Sequence, residues 1–161
     1  MNIRLIICAI ILCCAAACSG NASSESATVF YPDSSATDQA AALVANNTPQ
    51  KAAEDLVNWL ADAPTSDRQF GHQLAREVFR LYTISTDTTA MPEFSEALEA
   101  AKDSLDVERQ VKVFVAVSKP ATLGRMLRND PQGEKLAALV AAQYEGDSIA
   151  LVQFNKAYHA E

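Results

Sequence analysis

Residues 48–84, TPQKAAEDLVNWLADAPTSDRQFGHQLAREVFRLYTI, decide the fold class of this chain. They contain two runs whose apolar residues recur three or four positions apart, the spacing of one face of an α-helix. The first run follows Thr48-Pro49, a capping residue and a proline at the first helical position. The pattern predicts one helix over Pro49–Asp62 and a second that starts after Thr65 or Ser66 and ends near Ile84.

The rest of the chain after residue 36 follows the same pattern. Its prolines fall at the ends of periodic segments and never inside one, which is how prolines bound helices. We predict further helices at about Thr37–Asn46, Pro92–Asp103, Leu105–Ser118, Pro120–Arg128, Pro131–Tyr144 and Ser148–His159. The predicted fold class is therefore all-α, with seven or eight short helices packed as antiparallel helical hairpins because their connections are short.

Two features of the sequence, a run of valines and a glycine inside a helix, give more specific expectations about packing. Val111, Val113, Val115 and Val117 alternate as in a β-strand, but no second convincing strand exists to pair with them. We therefore predict a helix that is apolar nearly all round in its second half, and hence central and buried. A glycine inside a helix often marks a close approach, so we expect a neighbouring helix to cross at Gly71.

The N-terminal segment has the features of an export signal. Arg4 is followed by an apolar run from Leu5 to Ala17, which ends in three small residues before Cys18. The run is about 13 residues long, shorter than the roughly 20 residues that a helix needs to cross a bilayer. All four cysteines of the chain lie within the first 18 residues, so cleavage before Cys18 would leave one cysteine in the mature protein.

This segment resembles the signal of a bacterial lipoprotein, in which the cysteine after the small residues becomes the lipidated N-terminus. The family prefers Leu three positions before that cysteine, where this chain has Ala15. The resemblance implies lipidation of Cys18, firm anchoring in a membrane and, from Ser19, an outer-membrane destination. The alternative is an ordinary signal that is cut after Ala17 and leaves Cys18 as a free thiol.

The predicted organisation has three parts. Residues 1–17 are the lipoprotein signal peptide, residues 18–35 are a flexible tether rich in Ser, Ala, Asn and Thr, and residues 36–161 are a single helical domain. Three large apolar residues, Val29-Phe30-Tyr31, interrupt the tether. They either pack back onto the domain or contact the membrane interface.

Composition excludes several classes of function. Removal of residues 1–17 takes Arg4 away, so 13 Lys and Arg become 12 against 20 Asp and Glu, a net charge of −8. Such an acidic domain repels phosphate backbones, so we expect no nucleic-acid partner. His72 and His159 are the only histidines and are not at ligand spacing. We therefore predict no catalytic residues, no metal site and no cofactor.

One candidate site remains in the helical domain. Arg68, His72, Arg76 and Arg80 recur every four residues on the helix that ends near Ile84, which places them on one side of it. This side is a candidate face for an acidic partner or an anionic ligand. The alternative is that Glu77 and neighbouring helices neutralise it.

The expected function follows from these features. We expect a membrane-anchored lipoprotein of the cell envelope, held in the outer membrane and facing the periplasm. Its domain is expected to be a non-enzymatic interaction module for an envelope protein partner. The alternative is a periplasmic ligand-binding protein or a carboxylate-dependent enzyme with a pocket between helices.

Overall fold

The computed structural model of the chain describes residues 28–160, so the predicted signal peptide and Cys18 lie outside the described residues. Within this range the chain forms eight α-helices and no β-strand, which confirms the predicted all-α fold class. A 3-10 turn at Thr65–Asp67 precedes the third helix. The helices are α1 Ala36–Asn46, α2 Pro49–Asp62, α3 Arg68–Thr83, α4 Ala90–Asp103, α5 Val107–Val117, α6 Pro120–Arg128, α7 Gly133–Gln143 and α8 Ser148–Tyr158.

The helix ends lie within two residues of the predicted ones, because helix ends depend on local capping. Thr48 Oγ1 accepts a hydrogen bond from Lys51 N at 3.2 Å, and Pro49 occupies the first turn of α2. Three helices start two residues away from the predicted position: α4 begins at Ala90, so Pro92 lies inside its first turn, α5 begins at Val107 after its cap Asp106, and α7 begins at Gly133 instead of Pro131. Asp130 accepts a bond from Gln132 N at 2.6 Å and holds residues 130–132 in a turn, so α7 begins at Gly133.

The helices enclose two adjoining hydrophobic cores that share α5. The first core contains buried residues of α1 to α4, and the second contains buried residues of α6 to α8 together with Tyr144. Helix α5 contributes Val113 and Ala116 to the first core and Val111 and Val115 to the second. The prediction that this segment is a central, buried helix is therefore confirmed.

The closest helix pairs are not consecutive in the chain. The most extensive contacts join α1 to α3, α2 to α4 and α6 to α8, and each pair skips one helix. The expected packing of consecutive helices as hairpins is therefore not the main arrangement, because consecutive helices share much smaller contacts than these pairs. The α6–α8 contact is close because Gly124 lacks a side chain: a Cβ there would lie 2.5 Å from Phe154 O.

Gly71 lies near the start of α3 and is buried against side chains of α2. A Cβ at this position would lie 2.9 Å from Leu60 Cδ2 and 3.3 Å from Trp59 Cζ3. The prediction that a neighbouring helix approaches Gly71 is therefore confirmed.

Residues 28–31, which we name the N-terminal strap, are bound to the helical domain. Phe30 is only 4% exposed, and its ring makes an edge-on contact with Trp59 at a centroid distance of 5.7 Å. Gln39 bonds the backbone of Tyr31 in both directions, since Tyr31 N donates to Gln39 Oε1 and Gln39 Nε2 donates to Tyr31 O, each at 2.7 Å. The boundary expected between residues 35 and 36 therefore moves, and the packed domain includes the strap.

A buried carboxylate holds the first described residue of the strap. Asp55 of α2 is 3% exposed, and its Oδ2 accepts hydrogen bonds from Thr28 Oγ1 at 2.5 Å and from Thr28 N at 3.3 Å. Its Oδ1 pairs with Lys51 Nζ at 2.6 Å, one turn earlier on the same helix. A buried charge is costly unless it is paired and hydrogen-bonded, and Asp55 obtains its partners from α2 and the strap.

Candidate functional site

The predicted basic face divides into two parts because α3 presents its residues to different surroundings. Arg68 at the start of the helix is half-buried and reaches the connection between α7 and α8. Its guanidinium pairs with Asp147 at 3.0 Å, donates to the carbonyl of Gln143 and lies 5.5 Å above the centre of the Tyr144 ring. Arg68 therefore links α3 to the second core and is not available as a free cation.

His72 is also directed inward. Its Nδ1 lies 2.7 Å from the carbonyl oxygen of Ala116 in α5. Because a carbonyl can only accept a hydrogen bond, Nδ1 carries the proton in this contact. His72 thus joins α3 to the central helix α5. The contacts of Arg68 and His72 together place the first half of the basic series between helices.

Arg76 and Arg80 remain at the surface. Arg80 Nε donates to Glu77 Oε2 at 2.7 Å, and Arg76 Nη2 lies 3.5 Å from Glu77 Oε1. The hydrogen bond from Arg80, aided by the charges of both arginines, lowers the pKa of Glu77 below its ordinary value. The four predicted residues are therefore not brought together in one continuous positive face, and Glu77 offsets the charge of the outer pair.

The structure contains an apolar cleft that sequence reasoning missed. It opens to solvent between α5, α6 and α7 and has a volume of about 60 Å³. Its lining consists of Val107, Gln110, Val111, Phe114, Leu123, Met126, Leu127, Asp130, Leu136 and Val140. Each apolar residue of this set has the helical spacing of a core residue, so no sequence pattern indicates that together they border solvent.

Only two of the lining residues are polar, and both already have backbone partners. Gln110 Nε2 donates to Leu105 O at 2.9 Å, and Asp130 Oδ1 accepts from Gln132 N at 2.6 Å. Val107 at the edge of the cleft is 44% exposed. The cleft therefore favours an apolar guest, because a polar guest would lose hydrogen bonds to water and find few replacements.

The buried charged groups of the domain lie outside the lining of the cleft. Lys102 of α4 is 1% exposed, and its ammonium pairs with the carboxylate of Glu99 and lies 4.8 Å from the centre of the Phe114 ring. The contact of Lys102 with Phe114 joins α4 to the central helix α5. Asp55 is held by Lys51 and the strap, as described above. Neither group is placed to act on a molecule in the cleft.

Within residues 28–160, no group of three or more His, Cys, Asp or Glu side chains is arranged to hold a metal ion. In the same range, every helix is too short or too polar to cross a membrane.

Comparison with known proteins adds no assignment. The chain matches no family model, and neither the curated proteins nor the solved structures yield a match.

Proposed function

We propose that this protein is a lipid-anchored component of the bacterial cell envelope. In this proposal Cys18 carries the lipid, the outer membrane holds the protein, and the helical domain faces the periplasm. The support is the order of a single charge, an apolar run, three small residues and a cysteine in residues 1–18. The domain acts as a non-enzymatic interaction module that binds an envelope protein.

The apolar cleft is the observation that carries the proposed interaction. It is open to solvent, lined almost wholly by apolar side chains and bordered by three helices. Its volume of about 60 Å³ suits one small aliphatic side chain, since a cavity that holds a benzene ring measures roughly 150 Å³. Such a side chain, buried at the centre of a contact and surrounded by a polar rim, is typical of the few residues that dominate protein–protein affinity.

The proposed occupant is an aliphatic side chain on a helix or loop of the partner. Asp130 is the one charged residue among those that line the cleft, and its Oδ1 already accepts a hydrogen bond from Gln132 N. We therefore expect the affinity for the partner to depend mainly on its apolar anchor.

A photo-crosslinking amino acid at position 126 tests the interaction in living cells. Met126 lies in the lining of the cleft and is half-buried, so a probe of similar size there faces the guest. We expect one discrete adduct, whose protein component is identified by mass spectrometry and confirmed by a reciprocal crosslink.

Two matched substitutions test whether the crosslinked partner binds in the cleft. Val107→Glu places a charge at the cleft edge, and Ile149→Glu places one at another exposed aliphatic residue, 70% exposed, in the first turn of α8. An acidic residue in the first turn is compatible with the helix dipole, so both variants should fold. Loss of the adduct only in Val107→Glu supports the proposal, and an undiminished adduct in that variant contradicts it.

The same cleft also favours a second candidate, a binding protein for a small apolar molecule. A ligand that binds only the folded state raises its stability, by about 2.7 kcal/mol at a concentration 100 times the dissociation constant. Thermal unfolding with a panel of small aliphatic and aromatic compounds measures this effect. A rise in the unfolding temperature that Val107→Glu reduces and Ile149→Glu does not would favour the ligand-binding function.

A further inference from the structure

The N-terminal strap has an inner and an outer side. Phe30 points into the first core, whereas its two neighbours, Val29 and Tyr31, are each 63% exposed. The strap therefore presents Phe30 to the domain and the side chains of Val29 and Tyr31 to solvent. The contacts of Thr28 with Asp55 and of Tyr31 with Gln39 fix this orientation on both sides of Phe30.

The strap is also the part of the described domain that is nearest in sequence to the proposed anchor. Ten residue steps separate Cys18 from Thr28, and even a fully extended chain covers only about 35 Å over that number of steps. A domain of this size has a radius of gyration of about 14 Å and so a diameter near 36 Å. The strap therefore lies within about one domain diameter of any membrane that holds Cys18.

We propose that the outer side of the strap, formed by Val29 and Tyr31, rests in the interface of the membrane that carries Cys18. This inference rests on the proposed lipid anchor. Tyrosine suits the interface because its ring is apolar and its hydroxyl remains hydrated at the level of the lipid headgroups. The bilayer is the proposed partner of these two exposed residues, because a lipid on Cys18 holds the strap close to it.

The contact has a predictable lipid preference and a mechanical consequence. Asp33 and Asp38 follow the strap, are exposed and carry negative charge, so a zwitterionic surface suits this face better than an anionic one. Because the strap is fixed to α2 through Thr28 and Phe30, contact at Val29 and Tyr31 orients the whole domain on the membrane. An anchor alone would leave the domain free to rotate.

Site-specific crosslinking to lipid tests the contact. The full-length gene is expressed in bacterial cells with a diazirine amino acid at position 29, 31 or 149, and the membrane form is purified and reconstituted into phosphatidylcholine vesicles. Position 149 is the control, because Ile149 is 70% exposed and belongs to α8 in the second half of the domain. We expect several-fold more lipid adducts, measured by mass spectrometry, at positions 29 and 31 than at position 149.

Equal or lower yields at positions 29 and 31 would overturn the inference. Intact mass of the same preparations reports separately whether Cys18 carries lipid, so failure of the anchor is distinguishable from failure of the contact. If Cys18 is a free thiol, it is coupled to a maleimide lipid in the vesicles and the crosslinking is repeated. Adducts at positions 29 and 31 would then support the proposed membrane contact, and their absence would contradict it.

Discussion

The close approach of α6 and α8 can be tested by replacing Gly124 with alanine. The new Cβ would lie 2.5 Å from Phe154 O and 2.9 Å from both Tyr158 N and Ala157 Cβ. Two of these three atoms belong to the backbone of α8, which cannot rotate away as a flexible side chain can. The two helices must therefore separate, and the separation disturbs the packing of Leu123 and Phe154 in the second core.

The expected magnitude follows from two opposing effects. Overpacking of a well-filled core typically costs about 1–3 kcal/mol. Alanine in place of glycine inside a helix returns up to about 1 kcal/mol through its higher helix propensity. We therefore expect Gly124→Ala to lower the free energy of unfolding by about 1–2 kcal/mol, which corresponds to a fall of roughly 3–8 °C in Tm for a domain of this size.

Gly71→Ala is the matched control, because its Cβ meets only side chains. Leu60 Cδ2 at 2.9 Å and the Trp59 ring at 3.3 Å can each shift by a few tenths of an ångström. We expect this variant to remain within about 1 kcal/mol of the wild type, since helix propensity offsets the strain. Urea unfolding followed by far-UV circular dichroism measures both variants. A Gly124→Ala protein as stable as the wild type would refute the reasoning.

Three further predictions concern the contacts that join the parts of the domain. Arg68→Ala should lower the free energy of unfolding by about 1–3 kcal/mol, because it removes the bonds of the guanidinium to Asp147 and to the carbonyl of Gln143, whereas Arg76→Ala should change it by less than about 0.5 kcal/mol. Equal effects of the two variants in urea unfolding would argue against the inward role of Arg68. Phe30→Ala should lower the free energy of unfolding by about 3 kcal/mol, the low end for a buried phenylalanine because the end of the strap can detach. A decrease of less than about 1 kcal/mol would show that Phe30 is not part of the core. Burial raises the pKa of Tyr144 to about 12, so the folded state holds the phenol proton more tightly than the unfolded chain, whose tyrosines have a pKa near 10. The associated stability is complete below about pH 10 and is lost as the pH rises to about 12, and Tyr144→Phe should reduce this alkaline loss in unfolding curves.

The helices were predictable because their signals are local. Thr48 and Pro49 mark the start of α2, and the valines of α5 form a helical stripe as well as an alternating one. The pairing of helices was not predictable in the same way. Periodicity shows which face of a helix is buried but not which helix covers it, so the α6–α8 contact appears only when Gly124 and Phe154 are seen together.

The N-terminal strap shows how one residue can change a boundary. Ser, Ala and Thr around it are typical of a tether, and this composition placed the boundary after residue 35. Phe30 fills a place beside Trp59, and the hydrogen bonds from Thr28 to Asp55 add a polar fastening that no local pattern reveals. The sequence signal was the apolar triplet before Pro32, and it left docking and membrane contact as alternatives.

The candidate site was harder to predict than the fold. A spacing of four residues places Arg68, His72, Arg76 and Arg80 on one side of α3, but what lies opposite each of them depends on tertiary structure. Arg68 pairs with Asp147 in the connection between α7 and α8, and His72 hydrogen-bonds the backbone of α5. The apolar cleft is built from three helices, so its opening to solvent depends on their relative positions and not on any one segment.

Lipidation of Cys18 is the central claim of the proposed function, and intact mass combined with detergent-phase partitioning tests it directly. The wild type and Cys18→Ala are expressed from the full-length gene and compared. The account predicts a wild-type mass that equals the polypeptide from Cys18 onward plus attached lipid, with partitioning into the detergent phase, and loss of both in the variant. A soluble wild-type product that is cut near Cys18 and carries a free thiol would contradict it.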